Sequence, residues 1–146
     1  MSRELGLVDR VSALHRVDLF ADVPGRVLAA VAEAAQEVRA APGTVLIEAG
    51  AVEAHLFAVV AGRVRVHRGE RTLLELGPGE TVGELAALMP QPRSASVTVV
   101  EPLLALRVDR SVLLDLLAAW PELAEGVIAA LVGRLRAAAE HAASSP

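Results

Sequence analysis

Cysteine, lysine, asparagine and tyrosine are all absent from this chain of 146 residues, which has only two phenylalanines and one tryptophan. Without cysteine, neither a disulfide framework nor a cysteine zinc site can form. All fourteen basic residues are arginine. An arginine is therefore informative here through its position rather than through its residue type.

Strong positive charge and long apolar runs are also missing. The net charge of −4 argues against a general nucleic-acid binder, whose surface is usually basic. Apolar runs such as 57–61 are far shorter than the roughly 18 residues that a membrane span needs. The first ten residues lack the apolar centre of a signal peptide. We expect one cytoplasmic domain with its own core and no membrane insertion by this chain.

Two helices are predicted before residue 42. Leu7, Val11 and Leu14 have helical spacing, which predicts an amphipathic helix within residues 3–16. A second helix is expected to begin near Asp22, an N-cap candidate, and to have Pro24 in its first turn. Its inward-facing residues would be Leu28, Val31 and Ala35.

The middle of the chain has short β-prone runs separated by glycines. The runs are 44–48, 55–60, 63–68, 72–76, 94–100 and 103–108, and the turn glycines are at 43, 50, 62, 69, 77 and 79. Val64 and Val66 alternate with polar neighbours, as in half-buried strands. About eight short strands with such turns predict a jelly-roll or barrel-like sandwich.

Helical periodicity returns after residue 109. Residues 110–118 predict a short helix, and Pro121 is expected to open a longer one that reaches about Ala139. Trp120 would be a packing anchor at their joint. A heptad-like seam runs along the longer helix: Ala124, Ile128, Leu131, Leu135 and Ala138. Packing of this seam on the chain's own barrel and a homodimer through it both remain open, and residues 141–146 are expected to be disordered.

The stretch 77–97 has the composition of an anion cradle. Gly83 permits close approach of a ligand, and a helical turn at 85–88 would offer unpaired N–H groups to an anion. Arg93, nine residues after Glu84, can match two phosphate oxygens with its forked guanidinium. Glu84 would repel phosphate but suits hydroxyls. The pattern predicts a ligand with one phosphate and a nearby hydroxyl.

Metal binding and catalysis find less support. The histidines at 15, 55, 67 and 141 are scattered and lack a close His-x-His pair, so no metal site is expected. Ser94, Ser96, Glu84 and Asp109 form no nucleophile motif, so we expect no enzyme.

The segment GELAALMPQPRSASV, residues 83–97, resembles the phosphate-binding cassette of the cyclic-nucleotide-binding domain. This regulatory module occurs in the bacterial catabolite activator protein, protein kinase A regulatory subunits and cyclic-nucleotide-gated channels. Further landmarks extend the resemblance over about 19–136: Pro42, Gly43, Gly50, Leu56, Gly62, Val64, Val66, Gly77 and Gly79.

The resemblance implies a mainly β fold with flanking helices. Its centre is an eight-stranded β-roll, a double-stranded β-helix of jelly-roll type, with N-terminal helices and two C-terminal helices. The implied boundaries are 1–18 for an N-terminal helix and 19–140 for the domain, with the roll at about 38–109 and lid helices at about 110–139.

The implied ligand is a 3′,5′-cyclic purine monophosphate, and no cofactor is implied. Glu84 would take the ribose 2′-hydroxyl and Arg93 the cyclic phosphate. The small Ser94 after Arg93 favours cAMP over cGMP. Other implied cassette contacts are Gly83, Leu85, Ala86, Ser94 and Ala95. The implied apolar walls are Ile47, Val66, Leu73, Leu74 and Val82, and the implied lid over the base is Arg134, Leu135 and Ala138.

Two residues depart from the family pattern. Val82 stands where phenylalanine is more frequent, and Ala51 where aspartate is common after the glycine. The first loosens a pocket wall and the second a turn, and neither removes a main polar contact.

The implied function is a regulatory sensor that transmits occupancy through movement of its C-terminal helices to a fused or separate effector. The residues after the last predicted strand have the pattern of two packing helices rather than a helix-turn-helix, so no DNA binding by this chain is expected. The alternative is a ligand-silent module of the same fold that serves protein interaction or dimerisation.

Overall fold

A computed structural model describes residues 4–50, 55–83 and 95–144. Helices flank a central set of strands, which confirms the predicted fold class. In chain order the elements are α1 Leu7–Arg16, a 3-10 helix Asp18–Phe20, α2 Gly25–Ala34, β1 Gln36–Ala40, β2 Val45–Ile47, β3 His55–Arg68, β4 Arg71–Leu76, β5 Thr81–Val82, β6 Ser96–Asp109, α3 Arg110–Ala119 and α4 Pro121–Ser144.

Two long strands, β3 and β6, form the centre of the sheet. They pair antiparallel from His55 opposite Asp109 to His67 opposite Ser96, with three shifts of register. The sheet order is β1-β6-β3-β4, with β2 also on β6 and β5 also on β3. The described part of the chain therefore has six strands instead of about eight, because each long strand joins two of the predicted runs. Strands β1 and β5 were not predicted, since QEVRA has little apolar alternation and two residues carry no pattern.

Gly62 lies inside β3, although the sequence pattern predicts a turn there. Its φ is +92°, a region that side-chain-bearing residues rarely adopt. A Cβ at this position would lie 2.2 Å from the carbonyl oxygen of Pro102 on β6. The glycine thus permits close approach of the two long strands where their register shifts.

Both faces of β3 are buried from Leu56 to Val59, which explains the continuous apolar run there. Leu56 and Ala58 belong to a cluster with the helices, whereas Phe57 and Val59 belong to a second cluster inside the roll. This division follows from the alternation of side chains along a strand. We call the second cluster the roll interior; its buried members are Ile47, Phe57, Val59, Val64, Val82, Val97, Val99, Leu103 and Ala105.

Helix α2 begins later than predicted. Its N-cap is Pro24 rather than Asp22, and the fixed φ of proline, here −59°, with an extended ψ leads the chain into the first turn. Leu28 and Val31 are fully buried, as predicted, and Ala35 is buried at the C-cap.

Helix α4 is longer than predicted and continues past Ala139 to Ser144. Residues 141–144, predicted to be disordered, are helical, in keeping with the high helix propensity of their alanine-rich sequence.

In the described part of the chain no single helix is long and apolar enough to cross a membrane. Helices α3 and α4 reach that length and hydropathy only together, across a bend of 113°.

The predicted seam on α4 is only partly covered by the rest of the domain. Helix α4 packs against the 3-10 helix, α2 and α3, and it buries Leu123 and Val127. Ile128 remains 60% exposed and Leu135 72% exposed. Packing within the domain therefore accounts for only part of this apolar face.

Candidate functional site

The structure describes the two ends of the predicted cassette. Gly83 follows β5 with a φ of +82°, and Ala95, which is half-buried, precedes β6. Because β5 and β6 both pair with β3, one strand positions both ends. The predicted contacts at Glu84, Leu85, Ala86, Arg93 and Ser94 lie outside the described residues.

The short strand β5 separates two environments. Val82 pairs with Phe57 of the roll interior, and Thr81 pairs with Ala58 of the helix-facing cluster. Paired residues on antiparallel strands project to the same face. Val82 therefore lines the roll interior, and Thr81 faces the helices.

The predicted apolar walls at Ile47, Val66 and Val82 meet in the roll interior. Ile47 and Val82 are buried, and Val66 is half-buried against them. Val64 and Val97 join this cluster, although they were not among the predicted site residues. Their alternation with polar neighbours on β3 and β6 is the sequence signal that identifies them.

Leu73 and Leu74 are the exposed part of the predicted wall, at 39% and 48% exposure. Leu74 pairs with Val66, while a register shift leaves Leu73 without a partner on β3. Leu74 therefore lies on the same face of the sheet as Val66, at the edge of the roll interior. A flat, largely apolar guest would remove this side chain from water, which is favourable in proportion to the area covered.

Ser96 connects two strands. Its Oγ accepts a hydrogen bond of 2.9 Å from the backbone N–H of Ala49, just beyond β2. This bond holds the start of β6 against the end of β2, next to Ile47. We assign Ser96 a structural role in shaping the wall.

The predicted lid residues lie on α4, and one of them binds the 3-10 helix. Arg134 donates two hydrogen bonds to Asp18 on the 3-10 helix, one of 2.7 Å from Nη2 to Oδ1 and one of 3.0 Å from Nε to Oδ2. Leu135 and Ala138 are exposed. The structure thus brings three of the predicted wall residues, Ile47, Val66 and Val82, together and leaves Leu135 and Ala138 exposed on α4.

The Arg134 hydrogen bond lowers the pKa of Asp18 below its ordinary value, and partial burial opposes this effect. A lowered pKa in the folded state means that the pair stabilises the protein above the ordinary pKa and ceases to do so as the pH falls through the lowered one. The Asp18 side chain is 63% exposed, so we expect a contribution of at most about 1 kcal/mol.

A second polar cluster lies where β6 meets α3. His55 Nδ1 is 2.8 Å and Arg107 Nε is 3.2 Å from Asp109 Oδ1. An open pocket of about 580 Å³ lies beside it, lined in part by Arg110 and Asp115. Among the residues with described positions, no group of three or more histidines, aspartates or glutamates could hold a metal ion.

Comparison with known proteins identifies the family. The cyclic nucleotide-binding domain family model matches residues 37–119. The chain is 30% identical over 128 residues to the CRP-like cAMP-activated global transcriptional regulator of Mycobacterium tuberculosis, covering 84% of this chain and 57% of the relative. It is 41% identical over 88 residues to the cyclic AMP receptor protein of Thermus thermophilus, covering 57% of this chain and 41% of that relative. The chain thus spans about half the length of these relatives.

A solved structure shows the same fold. The N-terminal domain of a transcriptional regulator from Streptomyces coelicolor A3(2) superposes with a TM-score of 0.80 at 30% identity, covering 88% of this chain and 94% of that one. The matched residues include β3, β5 and β6, which position the two ends of the cassette. They also include the wall residues Ile47, Val66 and Val82. On these grounds the chain belongs to the cyclic nucleotide-binding domain family.

Proposed function

We propose that this chain is a regulatory sensor domain that binds cAMP in preference to cGMP and responds by moving its C-terminal helices. The observation that carries the proposal is the position of the two ends of the cassette, Gly83 and Ala95, which adjoin strands that pair with β3, a strand of the apolar roll interior. The names of the two relatives, one cAMP-activated and one a cyclic AMP receptor, support cAMP.

Each proposed contact is implied by the family resemblance, and the chemistry of its residue agrees with it. Arg93 pairs with the cyclic phosphate through a charge-assisted fork, and Glu84 accepts a hydrogen bond from the ribose 2′-hydroxyl. Amides at Leu85 and Ala86 complete the anion site, and Gly83 permits the close approach. Ser94, through its hydroxyl, and Ala95 follow Arg93 in sequence and complete the proposed contacts, and the small Ser94 favours cAMP.

The apolar part of the nucleotide contacts the wall at Ile47, Val66 and Val82. It also covers the exposed side chains of Leu73 and Leu74. In this proposal, a bound nucleotide shifts α4 to a new position because its contacts differ between the two positions. A ligand favours the state that it contacts better. The exposed Leu135 and Ala138 of α4 supply that difference if they close over the base, together with Arg134. An effector of this signal, whether fused or separate, would receive it through α4.

Titration calorimetry of the wild-type protein with cAMP, cGMP and 5′-AMP tests the assignment. We expect cAMP to bind tightest, cGMP more weakly, and 5′-AMP weakest, because the opened phosphate no longer has the shape of the cyclic diester. Incubated cAMP should be recovered unchanged, since the proposed site has no catalytic role. Tighter binding of cGMP would contradict the preference, and absence of binding by any cyclic nucleotide would contradict the sensor.

A second candidate, a ligand-silent interaction module, is favoured by the apolar face of α4. Ile128, Val132 and Leu135 are 60%, 40% and 72% exposed along one helix. A second copy of this chain is the occupant that the heptad-like spacing of Ile128 and Leu135 suggests. In this form the chain would be a homodimer through α4.

Leu135→Glu tests that dimer. A charge buried at the centre of the interface should weaken self-association by about 2 kcal/mol or more, roughly thirtyfold. Ala137→Glu adds the same charge to a neighbouring exposed position of α4 and should change self-association less. Sedimentation velocity over a concentration series measures both. A wild-type protein that stays monomeric throughout would contradict the dimer.

A further inference from the structure

We infer that His67 is a positioning residue of the proposed nucleotide site, because its ring fixes the β3–β4 hairpin against the start of β6. This hairpin carries Leu73 and Leu74, the exposed part of the predicted wall. The inference rests on the proposed function, since it concerns the wall that the nucleotide would contact. It gives a role to a histidine that was not among the predicted site residues.

Both ring nitrogens of His67 have hydrogen-bond partners. Nδ1 lies 2.7 Å from the carbonyl oxygen of Gly69 in the turn after β3, and Nε2 lies 2.7 Å from Oγ1 of Thr98 on β6. A carbonyl oxygen can only accept, so Nδ1 of the neutral ring carries the proton and Nε2 accepts a hydrogen bond from the Thr98 hydroxyl. The ring is therefore held at two points, one on the hairpin and one on the neighbouring strand.

His67 lies on the outer surface of the roll, behind the wall. Its neighbour Val66 packs against the roll interior, so the alternation of side chains along β3 places His67 on the opposite face. Thr98 lies on the same outer face, because it pairs with Arg65, two residues before His67. His67 would therefore act on a nucleotide in the roll interior through the strands rather than by touching it.

Strand β4 depends on β3 for its position. Among the described strands, β4 pairs with β3 alone and stands at the end of the sheet order. Val66 lies opposite Leu74, whereas the next residue, His67, lies opposite Thr72, which leaves an extra residue on β4 at Leu73. Such an extra residue bends its strand and locally disrupts the ladder of backbone hydrogen bonds. The two bonds of His67 hold the hairpin where the ladder is irregular.

Two other side-chain contacts join β3 and β4 on the outer surface. Arg63 Nε donates to Glu75 Oε1 over 3.1 Å, and Arg65 Nη1 donates to Thr72 Oγ1 over 3.2 Å. Both contacts are exposed, and an exposed ion pair such as the first contributes little. The bond from His67 to β6 is shorter and partly buried. His67 is therefore the strongest of these three attachments, and it ties the hairpin to β6.

His67→Ala removes both bonds and should weaken cAMP binding about three- to tenfold. Two conservative variants separate the bonds. His67→Asn places an amide nitrogen near the position of Nδ1 and can still donate to Gly69, whereas His67→Gln places its amide near Nε2 and can still bond to Thr98. Each should restore part of the affinity that His67→Ala loses. Thr98→Val removes the hydroxyl and should weaken binding as His67→Asn does.

Titration calorimetry on a double-mutant cycle distinguishes positioning of the wall from a general loss of structure. In a Leu74→Ala background the effect of His67→Ala on cAMP affinity should shrink, because the side chain that His67 positions has been removed. The matched control is Arg65→Ala, which removes an exposed contact from the same outer face and should leave cAMP affinity unchanged. Thermal unfolding without ligand shows that each variant folds.

The ring and the hairpin can also be observed without ligand by NMR. Long-range 1H–15N correlation spectra at alkaline pH show which ring nitrogen carries the proton, and His67→Gln identifies the signal of His67 among the four histidines. We expect the proton on Nδ1. The methyl signals of Leu73 and Leu74 should shift in ligand-free His67→Ala and stay close to wild type in Arg65→Ala.

Equal cAMP affinity of the wild type and His67→Ala, or additive effects of His67→Ala and Leu74→Ala, would overturn the positioning role and leave the proposed function standing. If the wild type binds no cyclic nucleotide, the proposed function fails, and the methyl signals then still decide whether His67 positions the hairpin. Unchanged signals of Leu73 and Leu74 in ligand-free His67→Ala, or a proton on Nε2 of the wild-type ring, would overturn the inference in either case.

Discussion

Replacing Arg93 with alanine should weaken cAMP binding by about 2 to 5 kcal/mol, roughly thirtyfold to several thousandfold. In the proposed site, the substitution would remove one partner of a charge-assisted pair and leave the cyclic phosphate without its counter-charge. Most of the loss should come from that uncompensated anion. Arg93→Lys keeps the charge but not the fork, so its loss should be intermediate.

Titration calorimetry measures this loss, and thermal unfolding without ligand shows whether the variant still folds. Arg39→Ala is the control, because Arg39 lies on β1, pairs with Glu37 and is not a proposed ligand contact. It should bind cAMP as the wild type does. Equal cAMP affinity of the wild type and Arg93→Ala would show that Arg93 is not a ligand contact. It would also contradict the proposed anion cradle.

Gly62→Ala should destabilise the fold by about 3 kcal/mol or more. A side chain at a φ of +92° costs roughly 1–3 kcal/mol in backbone strain. The added Cβ also lies 2.2 Å from the Pro102 carbonyl oxygen, and this forced backbone shift costs a further 1–3 kcal/mol or so. For a domain of this size the midpoint of thermal unfolding should fall by about 6–12 °C.

Gly133→Ala makes the same chemical change where space is available. No atom lies within 4 Å of the added Cβ, and the position is inside α4. Alanine in a helix is favoured over glycine, so this variant should gain roughly 0.5–1 kcal/mol. Calorimetric unfolding compares the two. If Gly62→Ala unfolded at the same temperature as the wild type, the close approach of β3 and β6 at this position would be incorrect.

Local patterns in the sequence predict most of the helices and strands. Helical spacing and Pro121 locate α3 and the start of α4, and alternation on Val64 and Val66 locates the second half of β3. Where a glycine interrupts a strand, the pattern predicts two strands and a turn. In the structure β3 instead continues through Gly62 as one strand, because it pairs with β6 on both sides of this glycine.

The candidate site divides in the same way. The family resemblance implies an apolar wall that includes Ile47, Val66 and Val82, and the structure brings these three residues together in the roll interior. Arg134, a predicted lid residue, binds Asp18, which lies 116 positions earlier in the chain, and no local pattern contains this contact. Helix α4 likewise shows an apolar seam in sequence, but only its packing reveals that Leu123 and Val127 are buried while Leu135 is exposed.

By itself, the sequence determined the family resemblance, the mainly β fold and the chemistry of the cassette, because each depends on residue type and short-range spacing. Tertiary structure alone decided which faces are covered, how β3 and β6 cross and where Arg134 finds its partner. These depend on distances between residues far apart in the chain. The sequence alone therefore predicts the ligand cradle, whereas the position of the helix that would cover it depends on the folded molecule.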